Sequence, residues 1–436
     1  MTKWNNVSLG ELLTESNIPS ENPDPSKRIT VRLNVEGIEK RPFREETKGA
    51  TKYYIRKAGQ FIYGKQNLHK GAFGIIPEEL DGYESTIDLP AFDIDKSKVL
   101  PEWLMLILTK DNFYKELESI ASGSATKRIH PERLFQVKIP LPSISEQKDI
   151  LKKYDMYKVY HTAISNIIDD ARIYIDKLRQ SILQEAVEGK LVPQDPNDEP
   201  ASVLLEKIKE EKERLIKEGK IKKEKPLPPI TEDEIPYELP VGWEWCRLQE
   251  AIDVRDGTHD TPKYVESGGY PLVTGKDFYS GKLEFSQTKY ISKEDYEKII
   301  LRSKVDRGDI LFSMIGGNIG SMVIFEEDIE IAIKNVALFK KYYEGSVDNK
   351  YLFYFLKANI NNIKTLSKGG AQPFVSLNIL RNYLFALPPF EEQKRIVEKV
   401  DQLMALCDEL EKNIEQSKKD SELLMQSVLQ EAFKEA

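Results

Sequence analysis

Apolar residues recur in two stretches of the chain at alternating steps of four and three. In residues 388–436 they are Ile396, Val400, Leu403, Cys407, Leu410, Ile414, Leu424 and Val428, with Ser417 and Ser421 interrupting. In residues 141–190 the same slots hold Ile150, Tyr154, Tyr157, His161, Ile164, Ile168, Ala171, Ile175, Leu178 and Ile182. This is the a/d seam of a coiled coil, flanked by Lys and Glu. Pro142 and Pro388–Pro389 end the preceding strands, while Glu146, Glu391 and Glu392 place negative charge in the first helical turn, where the dipole favours it. A helix of about 45 residues spans about 65–70 Å, and an apolar seam of that length calls for a partner. The economical partner is the other seam, in a stalk that is antiparallel or parallel. Packing of each seam within its own domain, or on another protein, is the alternative.

Residues 1–140 and 240–387 follow a different pattern. Short alternating runs are broken by Gly and Asp, as in TKYYIRKAGQFIYGK (51–65) and GDILFSMIGGNIGSMVIFEED (308–328), and helical patterns follow at 101–121 and 349–367. The expectation is an α+β protein: two α/β blocks with curved mixed sheets, separated by two long helices. Residues 191–239 read as a linker. It opens in turn-rich sequence, carries one charged helix (ASVLLEKIKEEKERLIKEGK) and ends in a proline-rich connector.

The two halves repeat. LPSISEQKDILKKYDMY at 141–157 and LPPFEEQKRIVEKVDQL at 387–403 share eight residues at a constant offset of 246. The same offset pairs LRQSILQEA (178–186) with LMQSVLQEA (424–432), and Gly123, Ala125 and Leu134 with Gly369, Ala371 and Leu380. Two copies of one unit follow, and antiparallel packing of their helices would relate them by a pseudo-twofold axis. The domain boundaries read as 1–140, 141–190, 191–239, 240–387 and 388–436.

Composition narrows the class. A length of 436 residues predicts two or more domains, and no run approaches the ~20 apolar residues of a membrane span. Only two cysteines, Cys246 and Cys407, are present, as expected of a reducing cytoplasm, and four scattered histidines offer no zinc pattern. The net charge of −8 lies in residues 141–239 and 388–436, leaving both blocks near neutral and free to carry a local basic surface.

Such a surface is suggested at residues 27–70, with 12 Lys and Arg against 4 Asp and Glu, interleaved with aromatics. Basic groups give phosphate affinity, and Arg, Gln, Asn and His can read base edges. The nucleic-acid candidates here are Arg32, Arg41, Arg44, Lys52, Tyr53, Arg56, Lys65, Gln66, Asn67, His69 and Lys70, joined by Lys127 and Arg128 from GSATKRIH. In the second block they are Arg255, Thr258, His259 and Lys263 from RDGTHDTPKY, Lys276, and Gln372 and Ser376 from GGAQPFVS, the positional counterpart of GSATKRIH. The bland alternative is an ordinary strand pair, aromatics inward and charges outward. The seam candidates are Ile150, Tyr157, Ile164, Ile168, Ile175, Ile396, Val400, Leu403, Leu410 and Ile414. No catalytic motif emerges: GYPLVTGKD lacks phosphate-loop spacing, no Asn-Pro-Pro-Tyr or Asp-Pro-Pro-Tyr occurs, and GGNIGS reads as a hairpin turn.

Two divergent blocks alternating with helices that begin LPx(x)xEQK and end QSxLQEA, joined by EGKLVPQDPNDEPASVLLEKIK…LPVGWEW, resemble the specificity subunit of type I restriction–modification enzymes over essentially the whole chain. The resemblance implies that the blocks are target-recognition domains, each reading one half of a split double-stranded DNA site. The helices near Ser145 and Glu391 would form an antiparallel stalk, and two methyltransferase subunits and the restriction subunits would be partners. It also implies no catalysis by this chain within a deoxyribonuclease and adenine methyltransferase complex, with S-adenosylmethionine, ATP and Mg²⁺ belonging to the partners and no membrane contact. Three alternatives stay open: a coiled-coil scaffold, a recognition subunit serving a solitary methyltransferase, and a self-contained enzyme with atypical motifs.

Overall fold

The structure, a computed structural model, describes residues 4–43, 51–123, 127–279, 281–370 and 373–434. The chain divides into two compact units, residues 1–168 with 416–436 and residues 169–415.

In the first unit a four-stranded antiparallel sheet runs in the order Leu13–Ser16, Ala91–Ile94, Phe61–Tyr63, Phe73–Ile75. Alternation along the third of these strands explains its composition. Phe61 and Tyr63 enter one core with Phe73, Phe92 and the helical Trp103 and Leu104, while Ile62 enters a second core with Ile29, Ile76 and Leu80. Both faces are covered, so the strand is apolar throughout. A separate antiparallel pair, Asn5–Ser8 with Lys138–Leu141, joins the two ends of the block.

The second unit repeats this plan. Its sheet runs Asp253–Asp256, Val336–Lys340, Ile310–Ser313, Met322–Ile324, again antiparallel. Ile310 and Phe312 face one core and Leu311 another. Glu244–Arg247 with Leu384–Leu387 is the counterpart of the terminal pair. Even an aromatic contact recurs: Trp4 meets Trp103 edge-on at 5.5 Å, and Trp243 meets Tyr351 edge-on at 6.3 Å. A mixed sheet is found only in the second unit among the described residues, where Tyr270–Val273 pairs in parallel with Ala332–Ile333.

The long helices are Ile144–Val187 and Phe390–Lys434. Within the second unit Arg172 pairs with Glu415, and Arg179 with Asp408 at 2.6 Å and Glu411 at 3.0 Å, so residue numbers rise on one helix as they fall on the other. Ile168, Ile175, Ile396 and Val400 are buried, and Ile150, Tyr157, Leu403 and Ile414 are half-buried. Four seam expectations need correction: Ile164, Leu178, Leu410 and Leu424 are 37%, 44%, 48% and 57% exposed. A 3.6-residue turn drifts by about 20° per heptad from a strict 3.5 repeat, which carries such positions off the seam. Ile150 packs, with Leu151 and Tyr154, on the first block's own core. The side chain of Val428 lies outside the described residues.

The stretch between the halves is docked rather than free. The helix Ala201–Lys217 buries Ala201, Leu204 and Ile208 in the second unit's main core. Arg247, 4% exposed, donates to the carbonyls of Pro228, Pro229 and Asn382 and pairs with Glu234 at 2.8 Å. Among the described residues no helix is long and apolar enough to cross a membrane, and no cluster of His, Cys, Asp and Glu could hold a metal ion.

Candidate nucleic-acid interface

Each unit brings two loops together beside its four-stranded sheet. In the first, the segment Gly64–Ala72 leaves the strand Phe61–Tyr63, and the Lys65 carbonyl accepts from the Ile129 N–H at 2.8 Å. The Tyr63 hydroxyl donates to the Ile129 carbonyl at 3.0 Å. Ile129 follows Arg128, which exchanges reciprocal backbone bonds with Ser122. In the second unit, Met314–Ser321 leaves the strand Ile310–Ser313, and the Met314 carbonyl accepts from the Val375 N–H at 2.9 Å. Val375 follows Phe374, which exchanges the same reciprocal bonds with Lys368. One scaffold thus presents two equivalent loop pairs, with Gln66, Asn67 and His69 on one and Gly316, Gly317 and Asn318 on the other.

In the first unit the structure gathers Gln66, Asn67 and His69, all half-buried, with the exposed Lys70 and Lys127. Lys127 pairs with Glu118 at 2.7 Å, and together with His69 and Lys70 it holds that carboxyl below its usual range. Arg128 lies 3.6 Å from Asp88. Away from this group, Lys52 is exposed, Arg32 pairs with Glu39 at 2.5 Å, and the half-buried Arg41 donates its backbone N–H to the Arg28 carbonyl. Arg44 and Gln372 lie outside the described residues.

Three candidates of the basic stretch serve the interior instead. Arg56 is 1% exposed, and its guanidinium donates to the Ser85 hydroxyl (2.7 Å), the Ser16 carbonyl (2.6 Å) and the Leu89 carbonyl (3.2 Å). Burial pulls its pKa down to about 10. Lys65 is buried as well. Tyr53 is half-buried, with the buried Arg28 guanidinium 3.5 Å from its ring centre. Phe61 and Tyr63 are core residues. For these residues the bland alternative of inward aromatics holds.

In the second unit His259 lies between the Asn335 Oδ1 and the Asp256 carboxylate, each at 2.9 Å from a ring nitrogen, and Asp256 also pairs with Arg302. Arg255 pairs with Asp253 at 2.6 Å. The Thr258 hydroxyl accepts from the Asp260 N–H, and Ser376 caps the helix Leu377–Asn382, so both have local structural roles. Lys263 and Lys276 are exposed.

Beside His259 runs a groove in which the sequence marks only Lys276 as a binding candidate, Gly316–Asn318 reading there as part of a hairpin turn. Its lining includes Tyr264, Tyr279, Gln287, Lys289 and Lys334, together with Gly316, Gly317 and Asn318. The Lys289 ammonium lies 5.6 Å from the Tyr264 ring centre, Lys334 reaches the Thr261 hydroxyl, and Asn318 donates to the Gly275 carbonyl at 2.9 Å. Cationic, aromatic and amide side chains around open space are the mixture that contacts phosphates, stacks on bases and reads their edges.

A repeated α+β unit with a polar, partly basic loop surface in each copy is the class that these features define. The family profile of the type I restriction modification DNA specificity domain matches residues 1–168 and 240–417, and the chain belongs to that family. It is 33% identical over 383 residues to the type I restriction enzyme EcoAI specificity subunit of Escherichia coli, covering 76% of this chain and 64% of that relative. To the EcoEI specificity subunit of the same species it is 29% identical over 389 residues, with the same shares covered. The chain therefore spans 64% of the length of each of these relatives. Its fold is similar to a chain from a solved type I R-M system studied for complex assembly and conformational transition (TM-score 0.65, 18% identity, 99% of this chain and 97% of that one). It is also similar to the HsdS subunit from Thermoanaerobacter tengcongensis (TM-score 0.63, 18% identity, 99% and 96%).

Proposed function

We propose that this chain is the sequence-reading subunit of a type I restriction–modification complex, with each block contacting one half of a bipartite duplex site. The observation that carries this reading is the repeated loop pair. The corresponding loop displays Gln66, Asn67 and His69 in one unit and Gly316, Gly317 and Asn318 in the other, as two different half-sites require. Lys52, Lys70 and Lys127 in the first block, and Lys263, Lys276, Lys289 and Lys334 in the second, supply phosphate affinity.

In this reading the paired long helices form a stalk that sets the gap between half-sites. Tethering makes the second contact intramolecular, so two weak contacts become one specific one. The chain performs no chemistry. Two methyltransferase subunits and the restriction subunits dock on it and carry S-adenosylmethionine, ATP and Mg²⁺. Met156, Val159, Tyr160 and Ile167, exposed along the first long helix, are the apolar surface offered to such partners.

The test is duplex binding over a salt series, by the chain alone and with the methyltransferase encoded beside it, on a randomised library. Enrichment of a two-part motif with a fixed gap and steeply salt-dependent affinity is expected. No enrichment with the methyltransferase present would favour the scaffold alternative.

A further inference from the structure

Most glycines around the second-unit groove are required by the fold. A Cβ on Gly275 would lie 2.0 Å from the Ser313 hydroxyl oxygen, and Gly316 holds a left-handed φ of +71°. Gly317 has neither reason. Its φ lies outside the left-handed region, and a Cβ there would meet no atom of the described residues within 4 Å. It is exposed and lines the groove between Gly316 and Asn318. A glycine that the fold does not need enlarges the conformational entropy lost on folding, so its retention calls for another cause. Exposed bare backbone in the lining of a polar groove is what close approach of a flat or charged ligand demands.

We infer that Gly317 is a contact position for the second half-site: a base edge or sugar–phosphate of the duplex lies in van der Waals contact with the Gly316–Gly317 backbone, with Asn318 beside it as the polar reader. The inference rests on the reading of this chain as a DNA-recognition subunit and adds the residue at which the duplex comes closest. Tyr264, with Lys289 over its ring, and Lys276 and Lys334 line the same groove.

The test compares Gly317→Ala and Gly317→Val in the full chain, assembled with its methyltransferase, on the duplex enriched by the native complex and on the randomised library. Melting temperature should hold or rise in both variants, because the side chain enters open space. Affinity for the enriched duplex should fall progressively, by about tenfold or more for valine, and the motif should blur in one half only. A valine variant that folds and enriches the native motif with native affinity would overturn the inference while leaving DNA recognition intact. A native complex that enriches no motif would overturn the recognition reading, and this inference with it.

Discussion

Gln147 and Gln393, 246 residues apart, make the same pair of hydrogen bonds. The Gln147 Oε1 accepts from the Leu100 N–H at 2.8 Å while its Nε2 donates to the Lys98 and Pro142 carbonyls; the Gln393 Oε1 accepts from the Asp348 N–H at 2.8 Å while its Nε2 donates to the Pro388 carbonyl. Both side chains are 0% exposed. Each glutamine fastens the start of a long helix to the N-terminus of the helix that closes its own block. At its glutamine, then, the repeated EQK sequence is spent inside each unit, and any docked partner must use the exposed helix faces instead.

Replacement of either glutamine by alanine leaves buried backbone groups unpaired. A loss of about 1–3 kcal/mol is expected at each position. Urea denaturation of Gln147→Ala and Gln393→Ala should give comparable destabilisation. A neutral result at either would show that water or a neighbour replaces the amide.

Basic residues of the first block should separate into two kinds. Arg56→Met should lower the melting temperature, because the Ser16 carbonyl and the Ser85 hydroxyl lose the guanidinium donor, while the Leu89 carbonyl keeps only the Ser85 hydroxyl. Lys70→Ala and Lys127→Ala should leave stability nearly unchanged and reduce the salt slope of duplex binding by about one each. A reversal of these two patterns would reassign the interface.

Glu392 gives a pH prediction. It is 1% exposed, and burial, opposed by the hydrogen bond from Gln194 and by the charge of Arg395, raises its pKa above the ordinary 4.5. A carboxyl whose folded pKa is raised opposes folding when ionised: the cost is fully present above the folded pKa and disappears below the unfolded one. Glu392→Gln should therefore raise the melting temperature at pH 7.5, with the gain shrinking as pH falls through the raised pKa and gone below 4.5. A gain that grew towards low pH would have the wrong sign.

Arg247 and Glu234 make the opposite case. The guanidinium and the Thr231 bonds hold the Glu234 carboxyl down to about 2. The stability that this pair contributes is present above the ordinary carboxylate pKa and is lost as pH falls towards 2. Arg247→Ala should release residues 226–237 from the second unit, read as new proteolytic cleavage there without loss of the core. Unchanged protection would mean that Tyr237, which donates to the Val187 carbonyl at 3.0 Å, suffices alone.

The long helices were legible because a seam repeated over five heptads is a local signal that tertiary context rarely overrides. Their burial was less so: Ile164 and Leu410 match the period yet stand exposed. In the basic stretch, Lys52 and Arg56 look alike in sequence, and only the distant Ser16, Ser85 and Leu89 make one of them interior. The groove was illegible for the same reason. Tyr264 and Lys289 reach it through strands paired across the chain, Tyr264–Val265 with Lys289–Ile291. The equivalence of Gly64–Ala72 with Met314–Ser321 escapes a search at offset 246, because the Lys65 and Met314 carbonyls are 249 residues apart and their loops differ in residue type.

The central claim is that each unit reads its own half of one site. The most direct measurement is library enrichment by the native complex beside two double variants, Gln66→Ala with Asn67→Ala in the first unit, and Asn318→Ala with Asn335→Ala in the second. The account predicts a two-part motif from the native complex, with each double variant blurring one half and preserving the other half and the gap. Blurring of both halves by a folded variant, or of neither by both, would contradict it.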